Sequence, residues 1–138
     1  MKKSYVIEND FMVDGYRCVI VGQKLGHRCG YIGLPKGHKY YGVGIHDIKV
    51  DIHGGWTYAS DNNEYPVESD DLWWIGFDCG HWDDGKDFEL IKALASPEEY
   101  AHLKIMESMF PTDGEVRTVE YVEQELRSAI KQLKELID

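Results

Sequence analysis

The stretch LWWIGFDCGH, residues 72–81, carries the pattern that decides the fold. Successive side chains of a β-strand point to opposite faces, so every second residue of this stretch shares a face. One of those faces is apolar throughout: Trp73, Ile75, Phe77 and Cys79. The stretch therefore predicts a strand that lies on the hydrophobic core and gives way to a loop near His81.

Further strands are predicted upstream of this stretch, separated by glycine-rich or polar links. The segments are SYVI (4–7), GYRCVIVGQ (15–23), HRCGYIGLP (27–35), DIKVDIHG (47–54) and GWTYAS (55–60). The second and third are close enough in sequence to form a hairpin. In the fourth, Ile48, Val50 and Ile52 alternate with polar residues, which is typical of a half-buried strand.

Two helices are predicted downstream. SPEE, residues 96–99, is a start signal in which Ser96 caps, Pro97 takes the first helical position and Glu99 completes a capping box. That helix should run to about Met109. A final helix is expected over residues 115–136, with an apolar stripe at Val119, Val122, Leu126, Ala129, Leu133 and Leu136.

Together these elements predict an α+β fold, in which an antiparallel sheet of about five to six strands precedes two C-terminal α-helices. We expect a single domain, 1–138, that is mainly β over 1–88 and helical over 96–138. The apolar stripe of the last helix fits two arrangements. It can cover the sheet, or it can pair with a second copy of the chain.

Charge and cysteine content limit the function classes. The formal net charge of −10 argues against binding of long nucleic acids, which requires a basic surface. No apolar run reaches the length of a membrane-spanning helix. The three cysteines are an odd number and no apolar secretory stretch follows the first residues, so we expect free thiols in the cytoplasm.

Metal chemistry is one interpretation of the remaining polar residues. Zinc-type ligands are present at His27, Cys29, His53, Asp78, Cys79 and His81. Their spacings are H-x-C and C-x-H rather than those of established zinc motifs, and Cys79 falls on the apolar strand face. A metal-dependent hydrolase of nucleotides or phosphodiesters is the alternative function that this set supports. A nucleophilic Cys29 or Cys79 is disfavoured, because neither precedes a helix N-terminus that would lower its pKa.

Anion binding is the other interpretation. Arg28 lies among glycines, and Arg117 is expected in the first turn of the last helix, where free N–H groups favour anions. Either arginine can instead form an ion pair with one of the many acidic residues. The acidic set Asp78, Asp83 and Asp84 is unfavourable to phosphate, but it can bind hydroxyl groups or hold an arginine in place.

Four segments occur in this order in a known group of small phage-type proteins: GHRCGYIGLPKGH (26–38), DIHGGWTY (51–58), WWIGFDCGH (73–81) and VRTVEYVEQELRSAIKQL (116–133). Over residues 12 to 135 the chain resembles the Thoeris anti-defence sponge family. Those proteins sequester the cyclic ADP-ribose signal made by TIR-domain enzymes. The resemblance implies a nucleotide-binding protein that is not an enzyme, uses no cofactor or metal, and acts in the cytoplasm, that of the host cell if phage-encoded.

The resemblance also implies site residues and partners. Arginines hold the diphosphate, matched here by Arg28 and Arg117, and an aromatic residue stacks on the adenine, with Trp82 and Phe88 the first candidates. The other ligand-binding residues expected on this interpretation are His27, His53, Gly54, Trp56, Tyr58, Asp78, His81, Thr118 and Tyr121. Family members pair through their helices, so a homodimer or higher oligomer is expected, with cyclic oligonucleotides as possible ligands at assembly interfaces.

Overall fold

A computed structural model describes residues 4–81, 83–111 and 114–137 of the chain. Its main element is a five-stranded antiparallel sheet with the strand order β1-β2-β3-β5-β4. The strands are β1 (Tyr5–Val13), β2 (Tyr16–Gln23), β3 (Arg28–Pro35), β4 (Tyr58–Ser60) and β5 (Leu72–Asp78). A parallel pair, β6 (Asp84–Gly85) and β7 (Glu115–Val116), lies apart from this sheet.

Three helices complete the structure: α1 (Phe88–Leu94), α2 (Pro97–Met109) and α3 (Val119–Ile137). The predicted α+β fold, with an antiparallel sheet and two C-terminal helices, is confirmed by β1–β5 together with α2 and α3. The sequence prediction missed α1, which is short. Asp87 caps its N-terminus, with a side chain that accepts hydrogen bonds from the backbone N–H groups of Glu89 and Leu90.

Strand β5, which contains the residues of the LWWIGFD pattern, is buried on both faces. Ile75 and Phe77 pack in the main core, and Cys79 continues that core just beyond the strand, as predicted. Trp74 points the other way and is fully buried in a second, smaller core with Tyr31 and other residues of β2 and β3. The alternation therefore predicted one core correctly but did not reveal that a loop covers the opposite face.

Helix α3 covers the sheet with its apolar stripe. Five of its side chains are fully buried in the main core: Val122, Leu126, Ala129, Ile130 and Leu133. In this chain the stripe therefore takes the first of the two arrangements that the sequence allowed. Helix α2 has the predicted capping box of Ser96 and Glu99, yet none of its residues is buried.

The start of the last helix was predicted wrongly. The last helix begins at Val119 rather than 115, because residues 115–116 pair with β6 and the hydroxyl of Thr118 accepts a hydrogen bond from the backbone of Tyr121. Arg117 therefore precedes the helix instead of lying in its first turn.

Residues 48–51 alternate in burial as predicted, Ile52 and His53 are both half-buried, and residues 48–53 form no strand. Their backbone is bound by side chains of α3 instead of by a neighbouring strand. Gln132 accepts a hydrogen bond from the backbone N–H of Asp51 and donates one to its carbonyl, and Glu125 accepts one from the N–H of His53. This arrangement fixes His53 relative to α3.

Within the described residues, no helix is both long and apolar enough to cross a lipid bilayer.

Candidate functional site

Several of the segments singled out in the sequence meet at one end of the five-stranded sheet. β3 begins there and β5 ends there, because the two strands pair antiparallel with Cys29 opposite Asp78. The loop that contains His53 and the residues just before α3 approach the same end. The side chains that come together are His53, His81, Asp84, Arg117 and Tyr121, which we call the Asp84 cluster.

Asp84 is the centre of this cluster, and its side chain is only 1% exposed. Its Oδ1 accepts a hydrogen bond from Nε of Arg117 at 2.8 Å. Its Oδ2 accepts one from the backbone N–H of His81 at 3.1 Å and lies 3.0 Å from Nδ1 of the same residue. Nε2 of His53 is 3.0 Å from Oδ1 and 3.1 Å from Oδ2, so both oxygens share it.

These contacts keep Asp84 ionised. Burial alone would raise the pKa of its carboxyl, but hydrogen bonds from Arg117, His53 and His81 hold that pKa well below its usual range. An ionised carboxylate only accepts hydrogen bonds, so the imidazole nitrogens that face it carry protons. The negative charge of Asp84 is balanced chiefly by Arg117.

Tyr121 fixes the other side of the His53 ring. Its hydroxyl is 2.8 Å from Nδ1 of His53. When the neutral ring carries its proton on Nε2, Nδ1 accepts a hydrogen bond from this hydroxyl. The Arg117 guanidinium lies over the Tyr121 ring at 4.9 Å from its centroid. Both nitrogens of His53 are thus held by partners, and the ring has one defined orientation.

The geometry of the Asp84 cluster also suits a metal ion. One nitrogen each from His53 and His81 and an oxygen of Asp84 lie within 4.8 Å of one another. Two imidazoles and a carboxylate are a common three-residue ligand set for a divalent cation. The His81 ring is held tightly against Gly54, where an added Cβ would overlap it.

A pocket of about 170 Å³ opens beside His81 and Asp84. Its other polar lining residues are His27 and Lys86, and the His27 ring packs on the Cα of Gly80. Burial lowers the pKa of His27, so this imidazole is neutral at physiological pH. The pocket volume is below the range of about 300–1,000 Å³ that is usual for drug-sized ligands, so it fits a smaller group.

Arg28 is engaged within the protein. The residue is 7% exposed, and its guanidinium donates hydrogen bonds to Glu8 at 2.8 Å and to Asp87 at 2.9 Å. A third bond, of 3.2 Å, goes to the backbone carbonyl of Arg117. Arg28 therefore braces the residue that holds Asp84, with its donors already bound to two carboxylates.

The structure places several predicted site residues away from the Asp84 cluster. Trp56 is a core residue that donates to the carbonyl of Val50, and Tyr58 packs edge-on against Tyr31 on the opposite face of the sheet. Phe88 lies on α1 beneath the Lys104 ammonium. Trp82 lies outside the described residues.

The other predicted residues have local roles beside the cluster. Asp78 accepts a hydrogen bond from the backbone of Gly80 and has an oxygen 3.7 Å from Nε2 of His81. Thr118 caps the start of α3. Gly54 leaves the space that the His81 ring fills.

Asp84 itself was absent from the predicted site residues. It belongs to the acidic set with Asp78 and Asp83 that was expected to bind hydroxyl groups or hold an arginine in place, and Asp84 does hold Arg117. Nothing in the sequence separates Asp84 from its neighbour Asp83, although Asp83 is exposed and Asp84 is buried. Nothing in the sequence indicated that Glu8 and Asp87 bind Arg28 either.

The three cysteines are free and buried. Burial raises the pKa of the Cys18 thiol to about 12 and that of Cys29 to about 11, and it raises the pKa of Cys79 as well. We expect no reaction of the native protein with a thiol-specific disulfide reagent at pH 8, and reaction of three thiols per chain in denaturant. Rapid reaction of one thiol in the native protein would contradict this expectation and would reopen a nucleophilic role.

No protein-family model, curated protein or solved structure matches this chain. The site therefore has to be interpreted from its own chemistry.

Proposed function

We propose that the protein binds a divalent metal ion through His53, His81 and Asp84 and uses it to hydrolyse a phosphate ester. The observation that carries this proposal is the meeting of these three side chains within 4.8 Å of one another. They come from a loop after residue 50, from the turn after β5 and from β6. A pocket beside two of them supplies room for a substrate group.

The ligand set suits zinc, manganese or ferrous iron, which bind imidazole and carboxylate readily. Three protein ligands leave a coordination position open, as in catalytic rather than structural sites. When bound, the metal would act as a Lewis acid and lower the pKa of a coordinated water. Binding would require the neutral His53 ring to carry its proton on Nδ1, the nitrogen that faces Tyr121, instead of on Nε2, which faces Asp84.

The surrounding residues favour an anionic substrate. Arg117 balances the charge of Asp84, and Lys86 adds a positive charge to the lining of the adjacent pocket in a chain whose net charge is −10. Arg117 holds Asp84 in place through Nε, and its side chain is still 19% exposed. Hydrolysis joins the oxygen of water to phosphorus, breaks the ester P–O bond and transfers a water proton to the departing alcohol.

The direct test is metal binding by chelator-treated protein. Zinc, manganese and anaerobic ferrous iron would be titrated by calorimetry, and we expect one ion per chain for the preferred metal. His53→Ala and His81→Ala should abolish this binding. His46→Ala and His102→Ala are matched controls, since both histidines are exposed and neither belongs to the Asp84 cluster.

Activity would be followed with p-nitrophenyl phosphate and bis(p-nitrophenyl) phosphate in the presence of the preferred metal. Hydrolysis that requires the metal and disappears in the two cluster variants is the expected result. If no metal binds, or if it binds equally well to the cluster variants and the controls, the proposal is wrong.

Gly54 offers a test of the site geometry. Both Gly54 and Gly55 have left-handed backbone angles, with φ of 68° and 82°, so alanine at either position costs about 1–2 kcal/mol of stability. Only at Gly54 would the new Cβ overlap the His81 ring, since no atom lies within 4 Å of the Cβ position at Gly55. We expect Gly54→Ala to weaken metal binding about 10- to 100-fold and Gly55→Ala to leave it unchanged. Equal metal affinities of Gly54→Ala and Gly55→Ala would show that His81 does not bind the metal.

A second candidate function is sequestration of a cyclic ADP-ribose signal, as the resemblance to the sponge family implies. It is favoured by the position of Arg117, whose partly exposed guanidinium lies over the Tyr121 ring among segments named in that resemblance. Arg28 is less suited to a diphosphate because Glu8 and Asp87 occupy its donors.

Thermal shifts across cyclic ADP-ribose isomers and cyclic dinucleotides would test sequestration, with Arg117→Gln as the variant that should lose the shift. The ligand should then be recovered intact after heat release. Chemical loss of the ligand would favour hydrolysis, and the absence of any shift would remove the second candidate. Light scattering on the same samples tests the expected homo-oligomer.

A further inference from the structure

The imidazole of His27 lines the pocket beside the Asp84 cluster and is free to bind a ligand. Within the described residues, its ring nitrogens make no hydrogen bond, and no side-chain nitrogen or oxygen is both buried and without a partner. The ring nitrogens of His27 therefore have access to open space. The ring rests on Gly80, whose missing side chain leaves room for it, and both residues line the pocket.

Lys86 lines the same pocket. Within the described part of the chain its ammonium has no carboxylate partner, although acidic residues outnumber basic ones by 25 to 15. The nearest acidic side chain in sequence, Asp87, is already bound to Arg28. Lys86 thus offers an uncommitted positive charge at the opening that His27 also faces.

The lining of the pocket contains groups that can bind an anion. Asp84 is the acidic residue of the lining, and Arg117 already balances its charge. The lining therefore contributes the charge of Lys86 and the ring of His27, which can donate one hydrogen bond. Asp78 lies outside this lining, although its carboxylate acts on the His27 ring through space.

The size of the pocket limits the ligand. The volume of about 170 Å³ is well below the roughly 300–1,000 Å³ that drug-sized ligands occupy. A tetrahedral oxyanion fits such a space, whereas a whole nucleotide does not. The rest of a phosphate ester would have to extend out of the pocket into solvent.

We propose that His27 and Lys86 form an oxyanion subsite that binds the phosphoryl group of the substrate next to His81 and Asp84. The inference rests on the proposed hydrolysis for its substrate, while the subsite itself requires only the pocket. The substrate would then carry a compact, exposed phosphate group rather than a buried diester.

The test uses inorganic phosphate as the probe, titrated into metal-free and metal-loaded protein by calorimetry. Lys86→Gln and His27→Ala should each weaken phosphate binding about 10-fold or more, because the first removes the positive charge and the second removes the imidazole N–H donor. Lys92→Gln is the matched control, since Lys92 is an exposed lysine that lines a different pocket. Circular dichroism confirms that each variant is folded.

The outcomes separate the subsite from the metal centre. Phosphate binding that depends on Lys86 and His27 in protein that takes up no metal supports the subsite and removes the hydrolase. Metal binding without phosphate binding, or phosphate affinity that is equal in Lys86→Gln and Lys92→Gln, overturns the subsite. Binding of acetate as tightly as phosphate would also overturn it, because the site would then lack selectivity for a tetrahedral anion.

Discussion

Replacing Asp84 by asparagine is expected to lower the free energy of unfolding by about 3 kcal/mol and to abolish metal binding. Loss of one partner from a buried ion pair costs about 3–5 kcal/mol, because the remaining charge is left in a medium of low polarity. The lower end applies here, since the Arg117 side chain is still 19% exposed and can be partly hydrated. Single domains have about 5–15 kcal/mol of stability, so the variant should fold.

Urea unfolding with and without metal measures both effects. Wild-type protein should gain about 2.7 kcal/mol at a metal concentration 100 times the dissociation constant, whereas Asp84→Asn should gain nothing. Asp83→Asn is the control, because it makes the same chemical change at the exposed neighbouring residue. A variant at Asp84 that matches the Asp83 control in both measurements would show that the cluster neither stabilises the fold nor binds metal.

The same substitution has a defined pH dependence. The folded chain holds the pKa of Asp84 below its ordinary value of about 3.9, so the stabilising effect of ionised Asp84 is complete above about pH 4. It is lost only as the pH falls from there through the folded-state pKa. The stability difference between wild type and Asp84→Asn should therefore shrink as the pH falls below about 4.

The sheet could be predicted from the sequence because strand periodicity and glycine-rich links are local signals. The failure at residues 48–53 shows the limit of such signals. Alternation reports that one face of the segment is buried, but it does not report what binds the backbone. Here the partners are Gln132 and Glu125, more than 70 residues away, and no local pattern identifies them.

The sequence predicted which segments form the site, but it did not predict the central residue, Asp84. His53 and His81 stood out because histidine is uncommon and lies here next to glycines at predicted strand ends. Asp84 did not, because Asp83 and Asp84 have identical chemistry and differ only in burial. Burial of one of them depends on the pairing of β6 with β7, which joins residues about 30 positions apart.

The sequence left two roles open for Arg28, ligand binding and internal ion pairing, and the contacts of Arg28 are those of an internal ion pair. Its guanidinium joins Glu8 on β1, Asp87 at the start of α1 and the carbonyl of Arg117. Removing it leaves two partly buried carboxylates without a cation, for which we expect a loss of about 3–5 kcal/mol in Arg28→Met. Arg28→Lys should recover only part of this loss, because a single ammonium cannot reproduce the planar fork.

Arg17→Met is the control for Arg28→Met. Arg17 pairs with Asp10 on the surface, with both side chains about one-third exposed, and such pairs contribute about 0–1 kcal/mol. Denaturant midpoints of the two variants should therefore differ clearly. If Arg28→Met has the stability of Arg17→Met and instead loses affinity for cyclic ADP-ribose or phosphate, Arg28 is a ligand residue and the internal role is wrong. If stability falls as expected, Arg28 is an internal brace that holds Arg117 through its backbone carbonyl, and Arg117→Gln is then the variant that tests whether an arginine binds a ligand.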